Sequence, residues 1–155
     1  REGILTECLG FESIERKGGA PNHHRFDFKL TYENAPDCYM EVKTVTMGDE
    51  IHRGFYPDEF NEHNSRMLRE LIKVKQLGHR AVLFYCVQHT GIEKVFPADH
   101  MDGRFGKLLR EAHQEGVEIY AYRVAIDLHG LKLERPLEVC IPTRIYGHPS
   151  TLKGY

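Results

Sequence analysis

The 155-residue sequence has no tryptophan, only four cysteines, and a net charge of just −2 with histidines neutral. None of Cys8, Cys38, Cys86 and Cys140 falls in a C-x-x-C pair, which excludes a zinc ribbon and a thioredoxin-type redox motif. They sit in apolar strings such as Phe84-Tyr85-Cys86-Val87 and read as reduced core residues. The near balance of 21 basic and 23 acidic residues excludes a polybasic protein that binds nucleic acid by bulk charge, though not a local basic groove. The longest apolar run, residues 81–87, is too short to span a bilayer, and no signal peptide is visible in the residues at hand. The expectation is a cytoplasmic protein without membrane association. Internal repeats and low-complexity segments are also absent, and the chain begins at Arg1 without Met, as a piece of a longer protein would.

What is present is a globular composition, 41% hydrophobic and 28% charged, at a length that fits one domain. Residues 4–9 could end a helix at Gly10, and 11–16 alternate like a strand broken by Gly18-Gly19 and Pro21. In 25–30, Phe26, Phe28 and Leu30 share one face while Arg25, Asp27 and Lys29 share the other. A turn carrying Asn34 and Pro36 leads to a strand over 38–46, and 47–60 reads as an irregular loop. Apolar spacing predicts helices over 62–77, stopped by Gly78, and over 102–114. The run 81–87 is that of a strand covered on both faces, and 117–126 with 131–139 read as two more strands. The expected fold is α/β, a mixed central sheet flanked by helices, with residues 1–141 as the domain and 142–155 as a C-terminal tail.

One cluster carries chemistry. In Cys38-Tyr39-Met40-Glu41-Val42-Lys43 the strand period puts Glu41 and Lys43 on one face. If the preceding turn is centred on Asn34, Asp27 falls directly opposite Glu41 across the ladder. Two carboxylates so placed repel, and a divalent cation with hard oxygen ligands, Mg²⁺ or Mn²⁺, compensates them. The Val42 carbonyl could complete the metal's inner sphere, and Lys43 could orient a water or stabilise charge on a phosphorane-like transition state. Asp27, Glu41 and Lys43 therefore suit metal-assisted phosphodiester hydrolysis. The competing reading of Glu-x-Lys is a solvated surface ion pair of little energetic weight.

The strings Arg25-Phe26-Asp27-Phe28, Glu41-Val42-Lys43-Thr44-Val45-Thr46 and Tyr56-Pro57-Asp58, followed by His79-Arg80-Ala81-Val82-Leu83 and Gly116-Val117-Glu118, resemble the sugar fermentation stimulation protein family. The resemblance runs from about Leu5 to Val139 and implies a restriction-endonuclease-like, PD-(D/E)XK core. It further implies metal ligation by Asp27 and Glu41, a catalytic Lys43, and nucleic acid as partner, DNA ahead of RNA. Many nucleases of this fold act as dimers, so a homodimer is among the expectations. Two departures stand out. The family's N-terminal OB-like domain is not in these residues. The family's Thr-x-Arg-Gly-x-Lys-His pattern corresponds here to Asn61-Glu62-His63-Asn64-Ser65-Arg66-Met67, where Arg66 keeps a positive charge but the glycine and histidine are gone. The alternative is thus a non-catalytic DNA-binding regulatory protein of sugar (maltose) metabolism that keeps the nuclease fold.

Weaker candidates surround this core. Asp58 could line the site or simply be a turn residue after Pro57, and Gln88 could reach substrate from the end of the buried strand. Glu7 could add a carboxylate. Arg66, Arg69 and Lys73 share a helix face that could meet a phosphate backbone. His23-His24 reads as surface loop, because neighbours on a strand face opposite ways, and Tyr120 and Tyr122 read as half-buried strand residues.

Overall fold

A computed structural model of the chain describes residues 11–20 and 24–155; Glu7, Cys8, His23 and the expected helix over 4–9 lie outside the described residues. Among the described residues, nine strands form one sheet in the order β1-β2-β3-β6-β8-β9-β7-β5-β4. The strands are β1 (Ser13–Arg16), β2 (Phe28–Thr31), β3 (Cys38–Val45), β4 (Met47–Gly48), β5 (Arg53–Tyr56), β6 (Arg80–Val87), β7 (Lys94–Pro97), β8 (Glu118–Asp127) and β9 (Gly130–Val139). The helices are α1 (Glu62–Gln76) and α2 (Gly103–Gln114). The fold is α/β with a mixed sheet. No helix among the described residues is long and apolar enough to cross a membrane.

The parallel trio β3, β6 and β8 forms the centre. Its inner strand β6 is buried along seven of eight residues, as a strand covered on both faces must be. Both helices lie against one face. Met67, Leu68, Leu71 and Val74 of α1 and Phe105, Leu109 and Ala112 of α2 pack there on Tyr39, Val45, Leu83, Tyr85 and Val87. Leu30, Cys38, Met40, Val82, Phe84 and Val124 form a second core on the opposite face. Each helix starts where a side chain caps it: Asn61 Oδ1 accepts from the His63 N–H, and Asp102 Oδ1 from the Phe105 N–H. Helix α1 ends as its apolar period predicts, with Gly78 at φ +94°, where a side chain would be strained.

The hairpin register matches a turn centred on Asn34: Phe28 faces Met40, Lys29 faces Tyr39 and Leu30 faces Cys38. The next positions in that register are Asp27 and Glu41. Two expectations need correction. The alternation over 25–30 breaks at Asp27, where the backbone bends; Phe28 and Leu30 join the second core, but Phe26 turns into the helix-side core. At the bend the Val42 N–H, which lies beyond the last paired position of β2, is satisfied by the Asp27 side chain, whose Oδ2 accepts it at 2.8 Å. The segment 47–60, read as loop, contains β4 and β5, and β7 follows unannounced. These strands of two to four residues exist through their partners: β5 runs parallel to β7 and β7 to the end of β9. The last fourteen residues pack back on this second half of the sheet, where Tyr146 joins Phe55, Phe96, Ala98 and Cys140.

Candidate functional site

Helix α1 lies over the end of β2 and β3, and between them is a cleft of about 200 Å³. Asp27, Glu41 and Lys43 line it together with Lys17, His24, Arg25, His63, Arg66 and Met67. Strand β3 and the segments that lead out of β1 and into β2 supply the floor. Gly19 bridges Arg25 antiparallel and Arg16 faces Phe28, so Lys17 stands opposite Asp27, just as Asp27 stands opposite Glu41. Lysine, aspartate and glutamate thus form one row across the sheet, and the strand period sets Lys43 on the same face two residues beyond. Helix α1 supplies His63, Arg66 and Met67, which share a face by their i, i+3, i+4 spacing.

The two carboxylates are held differently. Asp27 accepts from the Val42 N–H through Oδ2 and pairs with the Lys17 ammonium, 3.1 Å from Oδ1. Burial alone would raise its pKa, but the Val42 N–H and Lys17 outweigh burial and hold the carboxyl below its ordinary value. Glu41 is 6% exposed; His24 Nε2 lies 3.4 Å from its Oε1, and its carboxyl also hydrogen-bonds that of Asp27. Burial first, and the like charge of Asp27 second, push the Glu41 carboxyl up to about 7, against the pull of Lys43. The pair is therefore short of positive charge at its centre while cations stand around its rim.

That donor set fits a divalent cation. In a strand the N–H and C=O of one residue point to the same edge, so the Val42 carbonyl shares the edge from which its N–H reaches Asp27. Among the described residues no group of three His, Cys, Asp or Glu side chains could hold a metal ion by itself. Two carboxylates with a main-chain carbonyl leave further positions to water, as Mg²⁺ prefers.

The structure brings together Asp27, Glu41, Val42, Lys43 and Arg66. Asp58 and Gln88 are exposed and do not line the cleft. On α1, Lys73 pairs with Glu70 at 3.2 Å, so Arg66 is the member of the basic strip that reaches the cleft. The surface reading of His24 is corrected: it is half-buried, edge-on to Phe26, and against Glu41. Burial, His63 and Lys43 lower its pKa, with Glu70 and Asp27 opposing. Lys17, Arg25 and His63 are further residues that sequence reasoning passed over. The signal for Lys17 was available, because extending the hairpin logic one strand back from Asp27 places a lysine beside it.

Residues 1–130 match the family described as sugar fermentation stimulation protein, RE domain. Pyrococcus furiosus SfsA, solved in complex with Ca²⁺, superposes with a TM-score of 0.77 at 28% identity, covering 88% of this chain. The chain spans 58% of the length of that relative. The small subunit of the heterodimeric restriction endonuclease R.BspD6I gives a TM-score of 0.29 at 12% identity, covering 71% of this chain and 73% of that one, a likeness too weak to argue from.

Proposed function

The chain belongs to the sugar fermentation stimulation protein family, and from that premise we propose that it is a metal-dependent nuclease-fold domain that hydrolyses phosphodiesters in DNA. The observation that carries this reading is the placement of Asp27 beside Glu41, with Lys43 on the same face, at the floor of a cleft rimmed by Lys17, Arg25, His63 and Arg66. The carboxylates and the Val42 carbonyl would hold Mg²⁺ or Mn²⁺; the related Pyrococcus protein was solved with Ca²⁺. When bound, the ion supplies Lewis-acid polarisation of a phosphate oxygen and neutralises the carboxylate pair.

The chain's own residues do the rest. Arg66 from α1 and Arg25 from the segment before β2 both line the cleft and hold the strand's phosphates over its floor. Lys43 donates to the attacking water or to the developing charge on the phosphoryl group. Helix α1, packed on the sheet through Met67 and Leu68, keeps Arg66 at a fixed distance from the carboxylates.

A second reading, a DNA-binding regulatory protein of sugar metabolism without turnover, has one observation in its favour. Met67, where the family pattern carries histidine, lines the cleft with an apolar surface. Incubating plasmid and single-stranded DNA with Mg²⁺ or Mn²⁺ separates the two. Hydrolysis by the proposed site falls at least about a hundredfold in Glu41→Gln and in Lys43→Ala. Salt-sensitive binding with no metal-stimulated cleavage selects the second reading, and cleavage that persists in both variants refutes the assignment of residues.

A further inference from the structure

Asp27 has two carboxylate oxygens, and both have partners before any metal arrives. Oδ2 accepts from the Val42 N–H at 2.8 Å, and Oδ1 faces the Lys17 ammonium at 3.1 Å. A divalent ion needs a carboxylate oxygen at about 2.0–2.6 Å. An ammonium within hydrogen-bond distance of that oxygen competes with the ion for its negative charge, and the two cations repel each other. Resting on the metal reading of the site, we propose that Lys17 is a cation latch: it holds Asp27 Oδ1 in the metal-free protein, leaves when the ion takes that oxygen, and then binds a phosphate of the nucleic-acid strand.

The backbone around Lys17 is built to hold the base of such an arm. Lys17 lies at φ +55°, a left-handed conformation unusual for a residue with a side chain. Its N–H donates to the Asp27 carbonyl at 2.7 Å, and its own carbonyl accepts from Arg25 Nε at 3.4 Å. The next residue is Gly18, where a Cβ would overlap Lys29 Cβ, so the chain can pass this point only as glycine. The main chain is thus pinned on both sides, while the side chain is 69% exposed. An exposed ion pair is weak enough to exchange, and the four-carbon stem is flexible enough to turn. Because Lys17 lines the same cleft as Arg25 and Arg66, its ammonium leaves Asp27 without leaving the path of the strand.

The latch predicts opposite effects on two ligands, whereas a merely structural lysine would weaken both. Calorimetric titration of the 155-residue chain with Mn²⁺ alone gives the first readout. Anisotropy of a short labelled DNA strand in Ca²⁺ gives the second. Lys17→Met is expected to bind Mn²⁺ about fivefold more tightly and the strand about fivefold more weakly, the scale of one exposed ion pair. Lys17→Arg should stay near the parent in both, and Lys17→Gln replaces Lys17→Met if the latter melts earlier without metal. Mn²⁺ affinity that is unchanged or weaker in the neutral variant, or unchanged strand affinity, overturns the latch while leaving the metal site standing. Absence of Mn²⁺ binding in both parent and variant overturns the metal reading itself and the latch with it.

Discussion

Two buried acids, in opposite halves of the sheet, show what separates a structural carboxylate from a reactive one. Asp99, just after β7, is 7% exposed, and Glu41 on β3 is 6% exposed, so burial does not distinguish them. Their partners do. Asp99 receives both arms of the Arg110 guanidinium, at 3.0 and 2.8 Å, and the Tyr146 N–H at 3.1 Å. Arg110 spends its remaining donors on the carbonyls of Gly106, Pro142 and Arg144, which stitches α2 to the C-terminal segment. There is no space for anything else: a Cβ at Gly106 would overlap Asp99 Oδ1. Glu41 instead faces a second carboxylate across the ladder and a histidine at 3.4 Å, beside a cleft. A satisfied buried charge locks the fold, and an under-compensated one waits for a ligand.

Breaking the satisfied end should produce the largest effect. Arg110→Ala leaves Asp99 buried without its counter-charge and should cost about 3–5 kcal/mol in urea unfolding. The C-terminal segment should then become sensitive to protease. An unchanged midpoint would show that Asp99 finds water or another cation.

The under-compensated end should respond in the other direction. Glu41 is near 7 folded against an ordinary 4.5, so the folded state favours its protonated form. That contribution is complete below 4.5 and is lost as pH rises through 7. Glu41→Gln escapes the loss. Metal-free Glu41→Gln should therefore be more stable than the parent by roughly 3 kcal/mol near about pH 8, with the gap closing near about pH 4. Added Mn²⁺ should raise the melting temperature of the parent and not that of the variant, and more so as pH rises through 7. A variant less stable than the parent at high pH would mean that Glu41 is satisfied after all.

The smallest effect tests how finely the structural end is tuned. The buried Tyr146 hydroxyl donates to the Pro97 carbonyl, and Tyr146→Phe should cost about 1 kcal/mol by removing that one bond. A loss several times larger would make the hydroxyl part of the Asp99 network and not a separate tie.

Much of the central sheet was legible because its signals are local. Apolar stripes at helical spacing in Met67, Leu68, Leu71 and Val74, and in Phe105, Leu109 and Ala112, announced α1 and α2. The run ending at Val87 announced β6. The second half of the sheet was less legible. A strand as short as β4, Met47–Gly48, has no periodicity to read and is defined by its ladder to Phe55 and Gly54. Glycine in β5 argued for loop, yet Gly54 is there because Ile92 packs where its Cβ would stand. In the site, Glu41 and Lys43 were readable from the strand period and Asp27 from the turn. His24 and His63 were not, since a side chain in a loop or on a helix face gives no sign of which cleft it lines, and Lys17 was within reach only by carrying the pairing back one more segment.

By itself the sequence determined the α/β class, the two helices and the glycine that stops the first, and, given a turn centred on Asn34, the pairing that sets Asp27 opposite Glu41. These follow from side-chain alternation and turn position, which act over a few residues. The tertiary structure alone decided that Glu41 is buried, that His63 and Arg66 close the cleft from α1, and that Asp99 meets Arg110. Those outcomes depend on desolvation and on charges brought together from distant segments. The same carboxylate side chain is a solvated surface group, a structural lock or a metal ligand according to what the fold places within a few ångströms of it.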